Sequence, residues 1–467
     1  MTKLLSGRWL SMGVEFLSTF CTPVMLLGCG VILSAGIGIH HILHPARFIH
    51  TLLDIPENSK TTPFKAVTMA LAGTLGVGNI TGVSAAILQG GVGAIFWMWV
   101  GALVSMAVKY GEVSLAVRYR EKSADGSWYG GMMYVIRDGL KKNIHSGTAW
   151  IFGGIFALLC MANALITGTI VQSHAAAEVL YPVPKGISGC ILVILAITVM
   201  FYGIEKVGNI TLRLVPAMTL FFSLLSMWII LGNIHLIPSI LRQIFTEAFS
   251  FEAVGGGITG TGICGITASV GRSRCGQSLR YGITRGIFSN EAGCGTSPSA
   301  HAAADTKSPF HQGCYGILEV FCDTMILCTM TALVLCIADR KYGILKMGGE
   351  NLTLRAYQFF GGDLIYGGMA AMVAVFAFAT ILAQMYYGFT AIGYFTQKKW
   401  AGSIYAVITV CCVFIGAVMD TETMWSLADG IIGGMTCMNT AVLICMRNEI
   451  YATVPKRSDW QIADGSR

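Results

Sequence analysis

Apolar stretches of about 20 residues, the length that crosses a bilayer as an α-helix, recur along nearly the whole chain. They start near Val14, Phe64, Val92, Thr148, Gly186, Val207, Ala253, Gly313, Ile365, Ala401 and Thr421. Lipid offers the backbone no hydrogen-bond partners, so a chain of this kind satisfies itself within helices or a closed barrel. Runs this long are helical, and about eleven of them predict an all-α integral membrane protein. Composition agrees, since 54% of the 467 residues are apolar and 12% charged. A soluble domain carries roughly 25% charged residues. The spans take up most of the sequence, so 1–467 reads as one transmembrane domain.

The first stretch, Phe16 to Ile39, is longer than a signal-peptide core and has no evident small-residue cleavage site after it. It is expected to be retained as an extra N-terminal helix over 14–41. Of fifteen cysteines, Cys160, Cys190, Cys328, Cys336, Cys411 and Cys412 sit in apolar runs without metal-type clustering, which favours buried free thiols. His40, His41 and His44 have a metal-like spacing but no cysteine or carboxylate close by, so an interfacial cluster is the better reading. Trp97 and Trp99 suit the membrane interface or helix packing. The net charge of +7 is spread among short connections rather than gathered on one element, which argues against nucleic acid as a partner. No nucleotide loop, nucleophile elbow or zinc motif is present, so no catalytic residue and no enzyme activity are expected. Energy is left to an ion gradient.

Positive residues fall on alternate connections. Arg47, Lys60 and Lys65 follow span one; Arg118, Arg120, Lys122, Arg137, Lys141 and Lys142 follow span three; Lys206 follows span five. Arg272, Arg274, Arg280, Arg285 and Lys307 follow span seven, Lys398 and Lys399 span nine, and Arg447, Lys456 and Arg457 close the chain. These connections are expected to be cytoplasmic. The N-terminus is then outside, which Lys3 and Arg8 oppose weakly, and the tail 447–467 is cytoplasmic.

Two spans are interrupted by glycines, at Gly73-Thr74-Leu75-Gly76-Val77-Gly78-Asn79 and at Gly255-Gly256-Gly257-Ile258-Thr259-Gly260-Thr261-Gly262. A helix broken in mid-membrane frees backbone groups, tolerated only where protein or a solute cavity satisfies them. Two such breaks half a chain apart point to the site of a secondary transporter. With span one set aside, the breaks open the first and sixth of ten spans. An inverted repeat follows, 64–233 and then 250–446 upside down relative to it. Segment 235–249 reads as a short amphipathic helix on the outer surface.

At the first break, Gly76 and Gly78 flank Val77, so the chain unwinds at little steric cost and its amides are offered to a carboxylate. Thr74 and Asn79 add oxygens that suit a hard cation. Tight helix packing is the competing reading. At the second, Thr259 and Thr261 supply hydroxyls, and the polar run Ser269 to Gln277 belongs in a cavity or at the inner face. Glu319 and Asp323, one turn apart, are intramembrane carboxylates and candidates by default; they bind an ion or pair with arginines of the preceding loop. Asp323 is the candidate ion or proton site. Gln172 reaches either the cavity or a neighbouring helix, and Thr380 offers a hydroxyl to an ion or to its own helix.

Taken together, Gly76-Val77-Gly78-Asn79-Ile80-Thr81-Gly82-Val83, Gly90 to Trp99, Lys109-Tyr110-Gly111-Glu112, Arg285 to Gly293, Leu318 to Thr324 and Tyr386-Tyr387-Gly388 resemble the alanine or glycine:cation symporter family. The resemblance spans nearly the whole chain. It implies a fold like that of the neurotransmitter:sodium symporters, five plus five helices with one extra N-terminal helix. By position, amides from Gly76 to Asn79 would hold an amino-acid carboxylate, with Gln172 lining the pocket. One sodium would bind near Thr74 and Asn79. A second would take carbonyls near Ala72 and Leu75 and the hydroxyl of Thr380. The chain departs from the family pattern at Val77, usually Thr or Ser, at Ala379, usually a hydroxyl residue, at His174, usually Asn, and at Gln384, usually Trp. The last change is expected to enlarge the pocket and make it more polar.

These readings predict a secondary active transporter of the cell (inner) membrane. Sodium, with no other cofactor, would drive uptake of a small neutral amino acid, alanine or glycine, the D-enantiomer among the candidates. Its partners are that substrate, sodium and the lipid bilayer. Coupling to protons through Asp323 or Glu319, and a sensor that binds an amino acid without moving it, are the alternatives.

Overall fold

The structure, a computed structural model, describes Leu17 and residues 21–37, 45–53, 62–123, 126–142, 144–202, 204–250, 274–349 and 351–455. The second glycine run with Thr261, the span starting near Ala253, and His40, His41 and His44 lie outside the described residues. In chain order the helices are α1 (Thr22–Ile37), α2 (Pro45–Leu53), α3 (Pro63–Thr74), α4 (Thr81–Gly90), α5 (Ala94–Arg118), α6 (Met132–Gly139), α7 (Ser146–Leu165), α8 (Val171–Val179), α9 (Lys185–Tyr202) and α10 (Ile204–Gly232). They continue with α11 (Ile237–Ala248), α12 (Arg274–Asn290), α13 (Pro298–Ala302), α14 (Pro309–Val320), α15 (Thr329–Tyr342), α16 (Leu352–Gly393), α17 (Lys399–Val418), α18 (Thr421–Cys445) and α19 (Arg447–Tyr451). A two-stranded antiparallel ribbon, β1 (Glu121–Lys122) and β2 (Trp128–Tyr129), follows α5.

Among the described residues, seven continuous helical segments are long and apolar enough to cross a membrane. They start at Ala94, Ser146, Arg213, Pro309, Leu352, Lys399 and Thr423, and the shorter Thr22–Ile37 and Lys185–Thr198 are apolar as well. Against about eleven expected spans, the difference has a visible physical source at Phe64. That stretch is divided into two short helices, α3 and α4, by a break at 75–80. The protein is therefore an all-α, multi-pass membrane protein.

Burial sorts the helices. In Ala94–Arg118 83% of the most apolar window is buried, whereas Arg213–Gly232 reaches 28% and Lys399–Val418 33%, which places α5 at the centre and α10 and α17 at the rim. The rim helices expose apolar stripes at helical spacing, Leu220, Leu224, Trp228 and Leu231 on α10 and Ile404, Val407, Ile408, Ile415 and Val418 on α17. In water such stripes would be a liability; in lipid they are the expected outer face. At the centre α5 packs against α1, α12 and α14. Gly282 and Gly313 permit the last two approaches, since a Cβ there would meet Ala94 O at 2.4 Å and the Tyr110 ring at 2.6 Å.

Two irregularities matter for the site. Helix α16 is two helices merged across a kink at Gly361 and Gly362, the latter with φ +68°, which only glycine adopts readily. Two π-helical segments, Ile166–Ile170 between α7 and α8 and Phe321–Cys328 between α14 and α15, interrupt otherwise continuous helices. Such insertions favour functional positions. The amphipathic segment forms α11, whose Ile240, Ile244 and Ala248 are buried and whose Glu247 accepts from Val92 N at 2.9 Å. Trp97 and Trp99 serve helix packing, donating to Ala248 O at 3.2 Å and Thr329 Oγ1 at 2.8 Å. The fourteen described cysteines are free; Cys160, Cys328 and Cys336 are buried, but Cys190 and Cys411 face outward.

Candidate functional site

Helix α3 begins on Thr62, whose hydroxyl accepts from Lys65 N at 3.1 Å, with Pro63 in the first turn. It ends where Leu75 (φ −74°, ψ 76°) leaves helical geometry. Gly76 follows (φ −124°, ψ −145°), then one 3-10 turn, Val77–Asn79, and α4 begins at Thr81. Glycine at 76 is required by crowding. A Cβ there would lie 2.7 Å from Thr380 Oγ1 and 2.8 Å from Gln172 Oε1. At Gly78 it would lie 3.1 Å from Ser289 Cα, a backbone atom that cannot swing aside.

The break draws in side chains from three distant elements. Val77 N donates to Gln172 Oε1 at 3.2 Å, directly after the first π-helical segment. Thr380 Oγ1 donates to Ala72 O at 3.0 Å and to Phe376 O, in its own helix, at 3.1 Å. Asn79 Nδ2 donates to Asp323 Oδ1 at 2.7 Å, within the second π-helical segment. Asp323 also accepts through Oδ2 from Ser289 Oγ and Thr324 Oγ1, both at 2.8 Å. Thr331 Oγ1 donates to Asn79 O at 2.7 Å and Thr353 Oγ1 to Ile80 O at 2.9 Å, so carbonyls freed by the break find hydroxyls. Asn79 Oδ1 is buried with no hydrogen-bond partner among the described residues, beside the Asp323 carboxylate that accepts from the same amide. Amide, hydroxyl and carbonyl oxygens with one carboxylate form a hard donor set, suited to a hard cation and not to a soft metal.

A cavity of about 230 Å³ reaches the break, lined by Val77, Thr81, Ser84, His174, Glu178 and Trp425 among others. Its wall is braced by Arg285, which pairs with Asp429 Oδ1 at 3.1 Å and lies 4.3 Å from the centre of the Trp425 ring. On the other side of the break a void of about 10 Å³ is closed by Leu75, Gly76, Asn79, Ile80, Phe222, Leu327 and Phe376.

The structure thus brings together Ala72, Leu75, Gly76, Val77, Gly78, Asn79, Gln172, Thr380 and Asp323. Three of the candidate side chains have partners within the protein. The Thr74 hydroxyl turns back to Ala70 O at 3.3 Å in its own helix. Gln384 is fully buried and donates to Glu291 Oε1 at 2.5 Å, so its amide holds a carboxylate and does not line the cavity. Among the described residues Glu319 pairs not with an arginine but with Lys109 Nζ at 3.4 Å and His301 Nε2 at 3.0 Å. Sequence reasoning passed over Ser289, which holds Asp323, and the buried Lys109, Glu112 and Glu291. Intramembrane charge, the signal that singled out Glu319 and Asp323, applies equally to Lys109 and Glu112.

A multi-pass helical membrane protein with a polar site at a mid-helix break has the build of a secondary transporter. The chain matches the profile of the sodium:alanine symporter family over residues 5–463, and it belongs to that family. It is 34% identical over 441 residues to the sodium/alanine symporter AgcS of Methanococcus maripaludis, covering 92% of each chain. It is 31% identical over 433 residues to the amino-acid carrier protein AlsT of Bacillus subtilis, with 91% of this chain and 87% of AlsT covered. It is 33% identical over 446 residues to an uncharacterized transporter of Haemophilus influenzae, covering 95% of this chain and 89% of that one. Family membership implies amino-acid transport with sodium as the coupling ion.

Proposed function

We propose that the protein is a sodium-coupled symporter that takes a small neutral amino acid, glycine or either enantiomer of alanine, across the cell membrane. The observation that carries this reading is the break at 75–80, where the unpartnered Asn79 Oδ1 stands beside the Asp323 carboxylate. Sodium would bind between Asn79, Asp323 and neighbouring hydroxyls. The substrate carboxylate would take backbone amides from Gly76 to Asn79, displacing Gln172 Oε1 from Val77 N. A second sodium would use Ala72 O and Thr380 Oγ1, already 3.0 Å apart. Thr261 belongs to the same proposal through the second glycine run.

The reading extends to architecture. Eleven spans, arranged as repeats 64–233 and 250–446 in the manner of the neurotransmitter:sodium symporters after an extra helix 14–41, would place the N-terminus outside and the tail 447–467 in the cytoplasm. The cavity ending on Val77 would then open outward, the side from which substrate is captured. Sodium and substrate couple when they stabilise the same closed state together, worth about 1 to 3 kcal/mol in linked systems.

Equilibrium binding tests the site. A panel of L- and D-amino acids competing for the purified protein should favour alanine and glycine in sodium and lose affinity in choline. Affinity unchanged by the cation would remove sodium from the site. Proton coupling is the second reading, supported by the full burial of Asp323 with neutral groups alone, Asn79, Ser289 and Thr324, as its side-chain partners among the described residues. Under it, Asp323→Asn abolishes pH-driven uptake.

A further inference from the structure

Lys109 and Glu112 lie about one turn apart on α5, both fully buried, and their surroundings treat them differently. Lys109 Nζ donates to Ser297 Oγ at 2.7 Å and to Glu319 Oε1 at 3.4 Å. Gln312 Nε2 lies 2.9 Å from His301 Nδ1, so the amide donates there and the ring proton sits on Nε2, which donates to Glu319 Oε2 at 3.0 Å. Lys109 and Glu319 therefore cancel as a pair.

Glu112 has no such partner among the described residues. Its Oε1 accepts from Asn439 Nδ2, a neutral amide, at 2.5 Å, and its Oε2 is buried with no hydrogen-bond partner. The other N–H of Asn439 serves Gly293 O at 2.9 Å, while Asn439 Oδ1 is also buried and unpartnered. Other buried carboxylates have side-chain donors on both oxygens. Glu291 accepts from Gln384 and from Thr296, one donor on each oxygen, and Asp323 accepts three side-chain donors.

The two orphan oxygens belong to one carboxyl–amide pair. A carboxylic acid and a primary amide associate through two hydrogen bonds, N–H to C=O and O–H to C=O, and an ionised carboxylate can make only the first. The first is in place here. An unpaired carboxylate buried among helices is costly, and neutralisation removes the cost. Among the described residues, the cation whose charge reaches Glu112 is Lys109, already engaged by Glu319 and Ser297, and the other titratable groups facing Glu112 are the Cys29 thiol from α1 and the Cys294 thiol after α12. Cys294 also lies within electrostatic reach of Glu291, a further acidic neighbour.

We propose that Glu112 is a proton-binding site of this fold, holding a proton on Oε2 that is donated to Asn439 Oδ1. The pair bridges α5 and α18 where both pack on α1. Motion that parts α18 from α5 breaks the pair, exposes the carboxyl to water and releases the proton.

The test uses the full chain and its Glu112→Gln variant, a neutral isostere whose amide can donate as the protonated acid does. Melting in detergent across pH does not depend on the transport reading. A proton bound in the folded state and lost on unfolding stabilises less as pH rises, so the parent should lose stability relative to the variant with rising pH. The infrared carbonyl band of a protonated carboxyl should be present in the parent and diminished in Glu112→Gln. A variant that fails to fold, that melts lower than the parent at every pH, or that leaves this band unchanged overturns the proposal. In proteoliposomes the variant should also lose the pH dependence of alanine uptake. If neither protein transports alanine, the transport reading fails and the melting and infrared results still decide this one.

Discussion

Asn79 Nδ2 lies 2.7 Å from Asp323 Oδ1, across 244 positions of sequence, and ties the break after α3 to the π-helical segment after α14. If this pair is half of a sodium site, the charge of Asp323 is what attracts the ion. Asp323→Asn should leave the protein folded and shift the sodium dependence of uptake to at least ~10-fold higher concentration, about 1.4 kcal/mol. Measured sodium dependence at the parent value would take Asp323 out of the ion site.

Crowding at the break gives a graded series. A methyl at Gly76 would sit 2.7 Å from Thr380 Oγ1, one at Gly78 would sit 3.1 Å from Ser289 Cα, and one at Gly82 has its nearest neighbour at 3.8 Å. Gly82→Ala should be tolerated. Gly76→Ala should cost about 1 to 3 kcal/mol by overpacking and abolish most alanine binding, and Gly78→Val should do more. Normal binding in Gly78→Val would separate the break from the substrate site.

Arg285 is 4% exposed and its partner Asp429 20%, so the pair is mostly shielded from solvent. Asp429→Asn leaves a buried guanidinium without its counter-charge, and a loss on the order of 1 to 3 kcal/mol is expected in denaturant or thermal melts. Trp425→Ala removes the ring under the same cation and should cost about 0.5 to 2 kcal/mol. Parent-like melting of both variants would show that this brace does not hold the cavity wall.

Beyond the end of α18, burial acts to raise the Glu449 carboxyl, but hydrogen bonds from Lys142 and Tyr119 and the charge of Arg118 outweigh it and hold the group below the usual carboxylate range. A carboxyl lowered in the folded state contributes stability above its unfolded pKa and loses it as pH falls through the folded one. The parent should therefore melt higher than Glu449→Gln at neutral pH. The gap should close on acidification below about pH 4, the ordinary glutamate range. A gap that is constant with pH would assign the effect to packing.

The membrane class, the break at Gly76 to Asn79 and a buried carboxylate at Asp323 were legible in the sequence because each is a local contradiction: apolar length, glycines inside it, a carboxylate inside it. Partners were less legible. Nothing local says that Asp323 meets Asn79 or that Glu319 meets Lys109, because those pairings depend on how helices 244 and 210 positions apart are packed. The partner of Gln384 was not legible either: the family resemblance put it at the pocket, and tertiary packing sets it against Gly168, where a Cβ would lie 2.3 Å from Gln384 Cβ, and bonds it to Glu291. The kink at Gly361 and Gly362 agrees with a span read as starting near Ile365.

On the proposed function, a sodium gradient drives a small neutral amino acid through the site at this break. Flux into proteoliposomes measures it directly. Alanine uptake should rise well above equilibrium under an inward sodium gradient and collapse when choline replaces sodium. Equal uptake with and without that gradient would contradict the account.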